Sequence, residues 1–543
     1  MPGRRLGPVA FALPILAVNL GLLFVFDLAH HLALTLALLG AAFLGLLFTA
    51  PRLETASVPT GAILLGALLL RLPLLPLPPT LSDDVLRYLW DGKVAAAGLN
   101  PYALAPAAEK LTPLRDGIWR RMPHKEVPTV YPPLSIAAFS IASRLPFPML
   151  AWKLTATAAD LAACWLLLLL ARGAGLPPGR TVWYAWNPLV ALEVAGMGHV
   201  DALGVAAVVG AVLFLLPPLR RPGTAATLAA AGILAKLVPF AALPMWARQS
   251  GRPGWFLTAA LGLTAVAALP VALATGGVPP GLVTYGVSWE FNGPLFEPLW
   301  RLLDAAGAAP ALARGVDHLK SLTGIHQGLN PVYPYLYPQF LAKLLLAAGM
   351  AAAVALSLRE RDPVAGTGRL FGRLLLCSAT VYPWYLLWVL PWAALRRDAA
   401  WLALSALILL SYLPQFAGVA LWPWVYLGIW GPFAILLLVG RLRRLSGPSP
   451  PDPLSRPLPP SLTGRGGEGS FPPPGTGGGQ EGGVAESGAL PFLGRPLLTS
   501  PWRGRKKAAP APALHPWLPC LSPPLPVREG GRGRERGPGG EGP

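Results

Sequence analysis

The chain has 543 residues, of which 54% are hydrophobic and 13% are charged, and its formal net charge is +19. A soluble domain carries about 25% charged residues, so this composition excludes an ordinary soluble protein and indicates a polytopic membrane protein. The basic residues form short clusters between apolar segments. That pattern orients membrane proteins and does not resemble a nucleic-acid-binding surface.

The cysteines and the N-terminus add little chemistry. Cys164, Cys377 and Cys520 show no metal-ligand spacing, so neither a disulfide framework nor a zinc site is expected. Arg4 and Arg5 precede an apolar run, as in a signal peptide, but further spans follow and no small-residue cleavage site is evident. We therefore predict a retained first helix.

Long apolar segments predict the scaffold, because about 30 Å of hydrocarbon requires about 20 residues of helix. They lie at residues 8–27, 30–49, 59–78, 149–171, 255–275, 338–358 and 419–440. The expected fold is an all-α polytopic bundle of about fourteen helical segments, several too short to span, with both termini in the cytoplasm.

Three further regions are predicted to be pairs of short helices that go out and back, because only then do the basic clusters share one side. The pairs are 181–195 with 200–217, 224–236 with 238–247, and 370–382 with 384–395. Irregular backbone at membrane depth must line a cavity or be buried in protein. The pattern therefore predicts a cavity that faces outward.

The predicted domain organisation has one membrane domain, residues 1–444, with two long loops on the outer side. The loops are residues 79–133 and 276–337, and both contain aromatic, proline and charged residues. Residues 445–543 are rich in Pro, Gly, Ser and Arg without apolar periodicity, which predicts a disordered tail. We assign that tail no function.

The strongest motif is SDDVLRYLWDGKVAAAGLNPYALAP at residues 82–106. Ser82 is able to cap a helix whose first turn holds Asp83 and Asp84, which is a purely structural explanation for the two acids. However, positions 84, 87, 88 and 91 share one helix face, which carries Arg87, Tyr88 and Asp91. A carboxylate in such surroundings suits a general base that takes a proton from a sugar hydroxyl, and it equally suits a metal ligand.

A second motif, WNPLVALEVAGMGHVDALG at residues 186–204, places polar side chains within an apolar stretch. Ionisable groups at such depth cost about 2.5 to 3.5 kcal/mol each, so a functional role is the default expectation. His199 is suited either to donating to a phosphate or to orienting a carboxylate. A structural pair of His199 and Asp201 that joins two helices is the alternative.

Lys236 lies between apolar residues with no acid nearby in the sequence. A cation there would hold the anionic leaving group of a lipid-phosphate donor, although snorkelling to headgroups is an alternative. Asp160 is a weaker candidate, which is expected to pair with a basic residue. The aromatic residues Tyr131, Tyr382 and Trp384, like those of the Trp289–Asn292 segment, suit stacking on sugars, but membrane interfaces use the same residues.

The sequence contains no phosphate-cradling glycine loop and no usable Ser-His-Asp arrangement. A nucleotide-sugar donor is therefore not expected. With the acids outside the membrane, the activated donor should be carried by a lipid.

The order of motifs is similar to that of the GT-C integral-membrane glycosyltransferases, especially bacterial relatives of the family-87 mannosyltransferases. SDD-x-x-RY-x-WDG, NPY and TVYPP are followed by WNPL, GH-x-DAL and K-x-x-P, and the likeness covers about residues 1–440. It implies a GT-C-like bundle of about 11–14 spanning or partly spanning helices.

The resemblance also implies transfer of a hexose, commonly mannose, from a polyprenyl-phosphate donor to a lipid or glycan acceptor. The reaction would take place with inversion at the external face of the cytoplasmic membrane. Asp83 or Asp84 would be the base, with a preference for Asp83, and His199 and Lys236 would contact the leaving phosphate. No cofactor is required, although a divalent metal is compatible with the acid pair.

Two other functions fit the same features. A transporter or lipid flippase also contains broken helices and intramembrane charges around a central site. The clustering of polar groups at one face and the lack of an evident half-chain repeat argue against it. A non-catalytic assembly subunit is a third reading, which the acid pair disfavours.

Overall fold

The structure is a computed structural model that describes residues 7–55, 58–217 and 219–446. The predicted tail therefore lies outside the described residues apart from its first two positions. The described part is built of helices, and its extended pairing is limited to isolated bridges of Phe291 and Asn292 with Thr380. The predicted all-α polytopic fold is confirmed.

Seven helical segments among the described residues are long and apolar enough to cross a membrane. They are Pro8–Val25, Leu32–Thr55, Pro148–Gly173, Pro253–Thr275, Pro338–Ser357, Ala399–Phe416 and Leu421–Arg443. Four shorter apolar segments are Thr60–Leu74, Pro133–Ser143, Asp201–Leu213 and Pro222–Ala235. The mixture of long and short helices agrees with the expected scaffold of spans and hairpins.

The remaining elements lie in the loops and the broken helices. In the first loop they are Asp84–Ala96, Glu109–Leu114 and Gly117–Arg121, and in the first hairpin region Pro178–Thr181, Val182–Ala185, Pro188–Ala191 and Leu192–Gly196. Val238–Ala242 and Leu243–Gln249 follow, then Pro280–Ser288, Phe296–Ala305, Ala308–Thr323, His326–Leu329 and Asn330–Tyr335. The last hairpin region contains Pro363–Leu376, Pro383–Trp388 and Leu390–Arg396.

The outer face of the bundle is apolar, as a lipid-facing surface must be. In the span Pro253–Thr275, the side chains of Val266 and Leu273 are each 75% exposed. A soluble protein rarely leaves such residues together in contact with water. This face is therefore suited to contact with the hydrocarbon of a membrane.

Two details of the predicted scaffold are wrong. The segment 59–78 is not a full span, because its helix ends at Leu74, in a stretch where prolines at 73 and 76 remove backbone donors. Conversely, Ala399–Phe416 is long and apolar enough to span, although it is not among the predicted spans. Its central turn, Ile408–Ser411, is a 3₁₀ segment.

Buried polar contacts join the first spans to the rest of the bundle. Arg71 and Asp160 form a fully buried ion pair at 2.5 Å, and the hydroxyl of Tyr184 donates to the same carboxylate at 2.7 Å. Lys153 donates to the carbonyls of Leu74, Leu75 and Leu77 and thereby caps the C-terminal end of the helical segment Thr60–Leu74. Removing one partner of a buried pair is strongly destabilising, so these contacts fix helix positions.

Gly92 allows the helix Asp84–Ala96 to cross Pro133–Ser143 at close range. A Cβ atom at position 92 would lie 2.4 Å from the carbonyl oxygen of Phe139. No larger residue fits there without separating the helices. This crossing holds the first loop, with its acid pair, against the bundle.

Candidate active site

The predicted site residues converge on one cavity of about 1020 Å³. Its walls come from the first loop, the Lys236 turn, the second loop and the last hairpin region. The predicted residues that line it are Asp83, Asp84, Arg87, Tyr131, Lys236, Tyr382 and Trp384. Tyr88, Asp91, His199 and Asp201 are buried behind that lining.

The acid pair stands where the first loop turns into its helix. Asp83 occupies the N-cap position, but its side chain makes no capping hydrogen bond, and the Oγ of Ser82 accepts only a long 3.4 Å contact from the amide of Asp84. Capping therefore does not occupy the Asp83 carboxylate. Desolvation by the cavity walls raises the pKa of Asp83, and the neighbouring charge of Asp84 raises it further.

Arg87 and Asp91 organise the first loop. Their side chains pair at 2.9 Å, and Arg87 also donates to the carbonyls of Val127 and His124, at 2.6 and 3.2 Å. Asp91 is 1% exposed, and its burial raises its pKa although Arg87 opposes that shift. Of this pair, Arg87 alone reaches the cavity wall.

The aromatic residues of the first loop support the acid pair from behind. The Tyr88 hydroxyl lies 3.4 Å from Oδ2 of Asp84, and its ring stacks on Phe139 at 4.7 Å. Tyr131 packs edge-on against Tyr88 at 4.9 Å and faces the cavity. The aromatic packing thus fixes the position of the Tyr88 hydroxyl beside Asp84.

His199 is fully buried between two acids. Its Nε2 lies 3.2 Å from Oε2 of Glu193, and its Nδ1 lies 3.8 Å from Oδ2 of Asp84. The ring stacks on Trp384 at a centroid distance of 3.9 Å. The structure thus brings the histidine motif to the acid pair, and Trp384 separates the imidazole from the open cavity.

Lys236 reaches the cavity through an extended turn after the helix Pro222–Ala235. Its Nζ lies 2.7 Å from Oδ1 of Asp201 and 4.8 Å from the centre of the Tyr385 ring. The indole of Trp388 donates to the same carboxylate oxygen at 2.6 Å. Asp201 is buried and serves as the anchor that aims the cation.

A row of stacked rings continues from His199 along the cavity wall. Trp384 stacks on Tyr382 at 4.6 Å, and Tyr382 stacks on Phe291 of the second loop at 4.9 Å. The hydroxyl of Tyr285, in the second loop, is hydrogen-bonded to that of Tyr385, in the last hairpin region. These contacts attach the second loop to the last hairpin region at the cavity wall.

Several contributors were not among the predicted site residues. Tyr385 follows the predicted Tyr382 and Trp384, and Tyr285 lies in the predicted second loop shortly before the Trp289–Asn292 segment, so both tyrosines stand beside residues that the sequence singles out. Nothing in the sequence singles out Tyr412, because it belongs to Ala399–Phe416, which is not among the predicted spans. Its hydroxyl donates to Oε1 of Glu193 at 2.6 Å.

One expectation is resolved outside this cavity. Asp160 is paired with Arg71 within the bundle and is not part of the site. Across the described ranges, no group of three or more His, Cys, Asp or Glu side chains is arranged to hold a metal ion.

Comparison with known proteins adds independent findings. A model of the family described as alpha-(1->6)-mannopyranosyltransferase, N-terminal domain, matches residues 7–250. The chain is 25% identical over 448 residues to a probable alpha-(1->6)-mannopyranosyltransferase of Mycolicibacterium smegmatis. The aligned region covers 70% of this chain and 74% of that protein. No solved structure matches.

Proposed function

We propose that this chain, a mannosyltransferase of the GT-C-like membrane kind, uses polyprenyl-phosphate-mannose as its donor and inverts the anomeric carbon. The acceptor is a hydroxyl of a lipid or glycan at the external face of the cytoplasmic membrane. The observation that carries the proposal is the cavity of about 1020 Å³ in which Asp83 and Asp84 face the same space as Lys236. We therefore favour an enzyme over a transporter or a non-catalytic subunit.

The apolar part of the cavity supports a lipid-borne donor. Met350 and Val354 of the span Pro338–Ser357, together with Phe371 and Leu374, line its wall. A prenyl chain is favoured next to such side chains, and a water-soluble nucleotide sugar is not. The donor phosphate then lies at the polar end, near Lys236.

The transfer assigns one role to each polar group. The carboxylate of Asp83 accepts the proton of the acceptor hydroxyl while the hydroxyl oxygen bonds to the anomeric carbon of mannose. The bond from that carbon to the phosphate oxygen breaks, and the polyprenyl phosphate leaves with the electron pair, stabilised by Lys236. The raised pKa of Asp83 suits a group that must take up a proton.

The mycobacterial relative is named for an alpha-(1->6) linkage. We extend that linkage to this chain. An alpha product formed by inversion requires a beta-linked donor. Trp384, Tyr382 and Trp289 line the cavity and offer ring faces on which the sugars are able to stack.

The positions of the charges support an outward-facing site. The helix Pro148–Gly173 begins near the site, where the Trp152 indole donates to the carbonyl of Gly198, and it carries Arg172 near its other end, about 30 Å from Trp152 along the helix axis. Arg220 and Arg221 likewise follow the distal end of Asp201–Leu213. The positive-inside rule then places the arginine end in the cytoplasm and the cavity outside.

The test uses purified full-length protein in detergent with radiolabelled polyprenyl-phosphate-mannose and a membrane lipid or glycan extract. We expect a mannosylated product, and we expect Asp83→Asn to lower its rate by about 10²-fold or more, because the base is lost. Glu109→Gln, which removes an exposed loop carboxylate outside the cavity, is the matched control. An Asp83→Asn enzyme that keeps the full rate would refute the base assignment.

A further inference from the structure

We propose that Glu193 and His199 form a buried charged couple that holds Asp84, and through it the catalytic acid pair, in position. Both are positioning residues, because neither is among the side chains that line the cavity. The inference rests on the proposed function, since it concerns the proton transfer at Asp83. The imidazole of His199 lies between the Glu193 and Asp84 carboxylates, at 3.2 and 3.8 Å.

The geometry suits an imidazolium, because both ring nitrogens of His199 face acid oxygens and only the charged ring carries a hydrogen on each nitrogen. The Glu193 side chain has no exposed surface, and a buried acid either pairs with a cation or keeps its proton. Within the described residues, its contacts are the neutral hydroxyl of Tyr412 and the imidazole of His199, and no lysine or arginine pairs with it. The cation of the proposed couple is His199, whose Nδ1 lies 3.8 Å from Oδ2 of Asp84.

The local backbone is shaped to bring these two side chains together. Leu192–Gly196 is a π-helical turn, which often occurs at functional sites. Gly198 follows with φ of +79°, a conformation that favours glycine, and the amide of His199 donates to the carbonyl of Glu193 at 3.0 Å. Trp384, stacked on the imidazole, keeps solvent from it.

The couple solves an electrostatic problem of the acid pair. Two adjacent carboxylates facing one cavity repel each other, and one of them tends to keep a proton. The imidazolium of His199 compensates the charge of Asp84 and draws that side chain to the protein side, where Tyr88 also contacts it. Asp83 is then left free to accept the proton of the acceptor.

The test is Glu193→Gln, which removes the charge but retains an oxygen that accepts the Tyr412 hydrogen bond. We expect kcat to fall by about tenfold or more while the donor KM changes by less than about threefold, because donor binding is untouched. His199→Gln should give the same division between kcat and KM. Ser405→Ala, which removes the buried contact between Asn187 and Ser405 in the same region, is the control and should keep the normal kcat.

A double-mutant cycle identifies the route of the effect. Glu193→Gln should add less than about twofold to the loss in an Asp84→Asn background, because the couple acts through Asp84. An unchanged kcat in Glu193→Gln, or an equal loss in both backgrounds, would overturn the inference. If the unaltered protein transfers no mannose from the polyprenyl donor, the proposed function fails instead.

Discussion

Asp83 and Asp84 are adjacent in the chain but occupy different surroundings. Asp84 is held by the hydroxyl of Tyr88 and the imidazole of His199, whereas Asp83 projects into the cavity without a capping bond. At the scale of single residues, this asymmetry separates a positioning carboxylate from the proposed base. It also explains why a doublet occurs where one acid would cap the helix.

The same asymmetry predicts a pH effect. Desolvation and the charge of Asp84 raise the pKa of Asp83, and a general base works only when deprotonated, so activity falls as the pH is lowered through that raised pKa. Asp84→Asn removes the neighbouring charge and leaves the desolvation of Asp83 unchanged. The acidic limb of its residual kcat/KM profile should therefore move to lower pH.

The measurement is transfer rate against pH at low donor concentration, with Glu109→Gln as the control that should keep the normal profile. An acidic limb that stays in place or moves to higher pH in Asp84→Asn would contradict the assignment of Asp83 as the titrating base.

At the scale of secondary-structure elements, helix interruptions build the site. Leu192–Gly196, Val238–Ala242 and Pro383–Trp388 depart from α-helical geometry, and the residues near them include His199, Lys236 and Trp384. A continuous helix would direct these side chains into neighbouring helices. The interruptions direct them toward one cavity and its rear wall.

The crossing of Asp84–Ala96 over Pro133–Ser143 yields a prediction for Gly92→Ala. The new Cβ would lie 2.4 Å from the Phe139 carbonyl, so the helices must separate, at a cost of about 1–3 kcal/mol. Thermal unfolding in detergent should shift to lower temperature, and transfer should slow because the acid pair moves. Gly61→Ala, also in a helix but with open space around it, should change neither.

At the scale of the whole molecule, the protein is polarised along the bundle. Acids and aromatic residues surround the cavity at one end, and arginines such as Arg172 and Arg221 occupy the other. Glu54 pairs with both Arg180 and Arg397 at that second end. In the proposed orientation, the cavity and the arginine clusters face opposite sides of the membrane.

This polarity is tested by cysteine labelling in intact cells. Lys110→Cys lies in the exposed first loop and should react with an impermeant thiol reagent, whereas Arg359→Cys should react only after the cells are opened. The unaltered chain supplies the background signal. Labelling of Arg359→Cys in intact cells, with Lys110→Cys protected, would reverse the proposed orientation.

The sequence by itself determined the membrane setting, the all-α class and most of the polar residues that meet at the cavity. The length of an apolar segment and the presence of an ionisable residue within it are local properties of the chain. It did not reveal the span Ala399–Phe416 or the partner that Tyr412 provides to Glu193. Only the tertiary structure decided which polar groups face the cavity and which stand behind it. That division depends on contacts between residues more than a hundred positions apart, such as Asp84 with His199 and Asp201 with Trp388, which packing creates and no local pattern encodes.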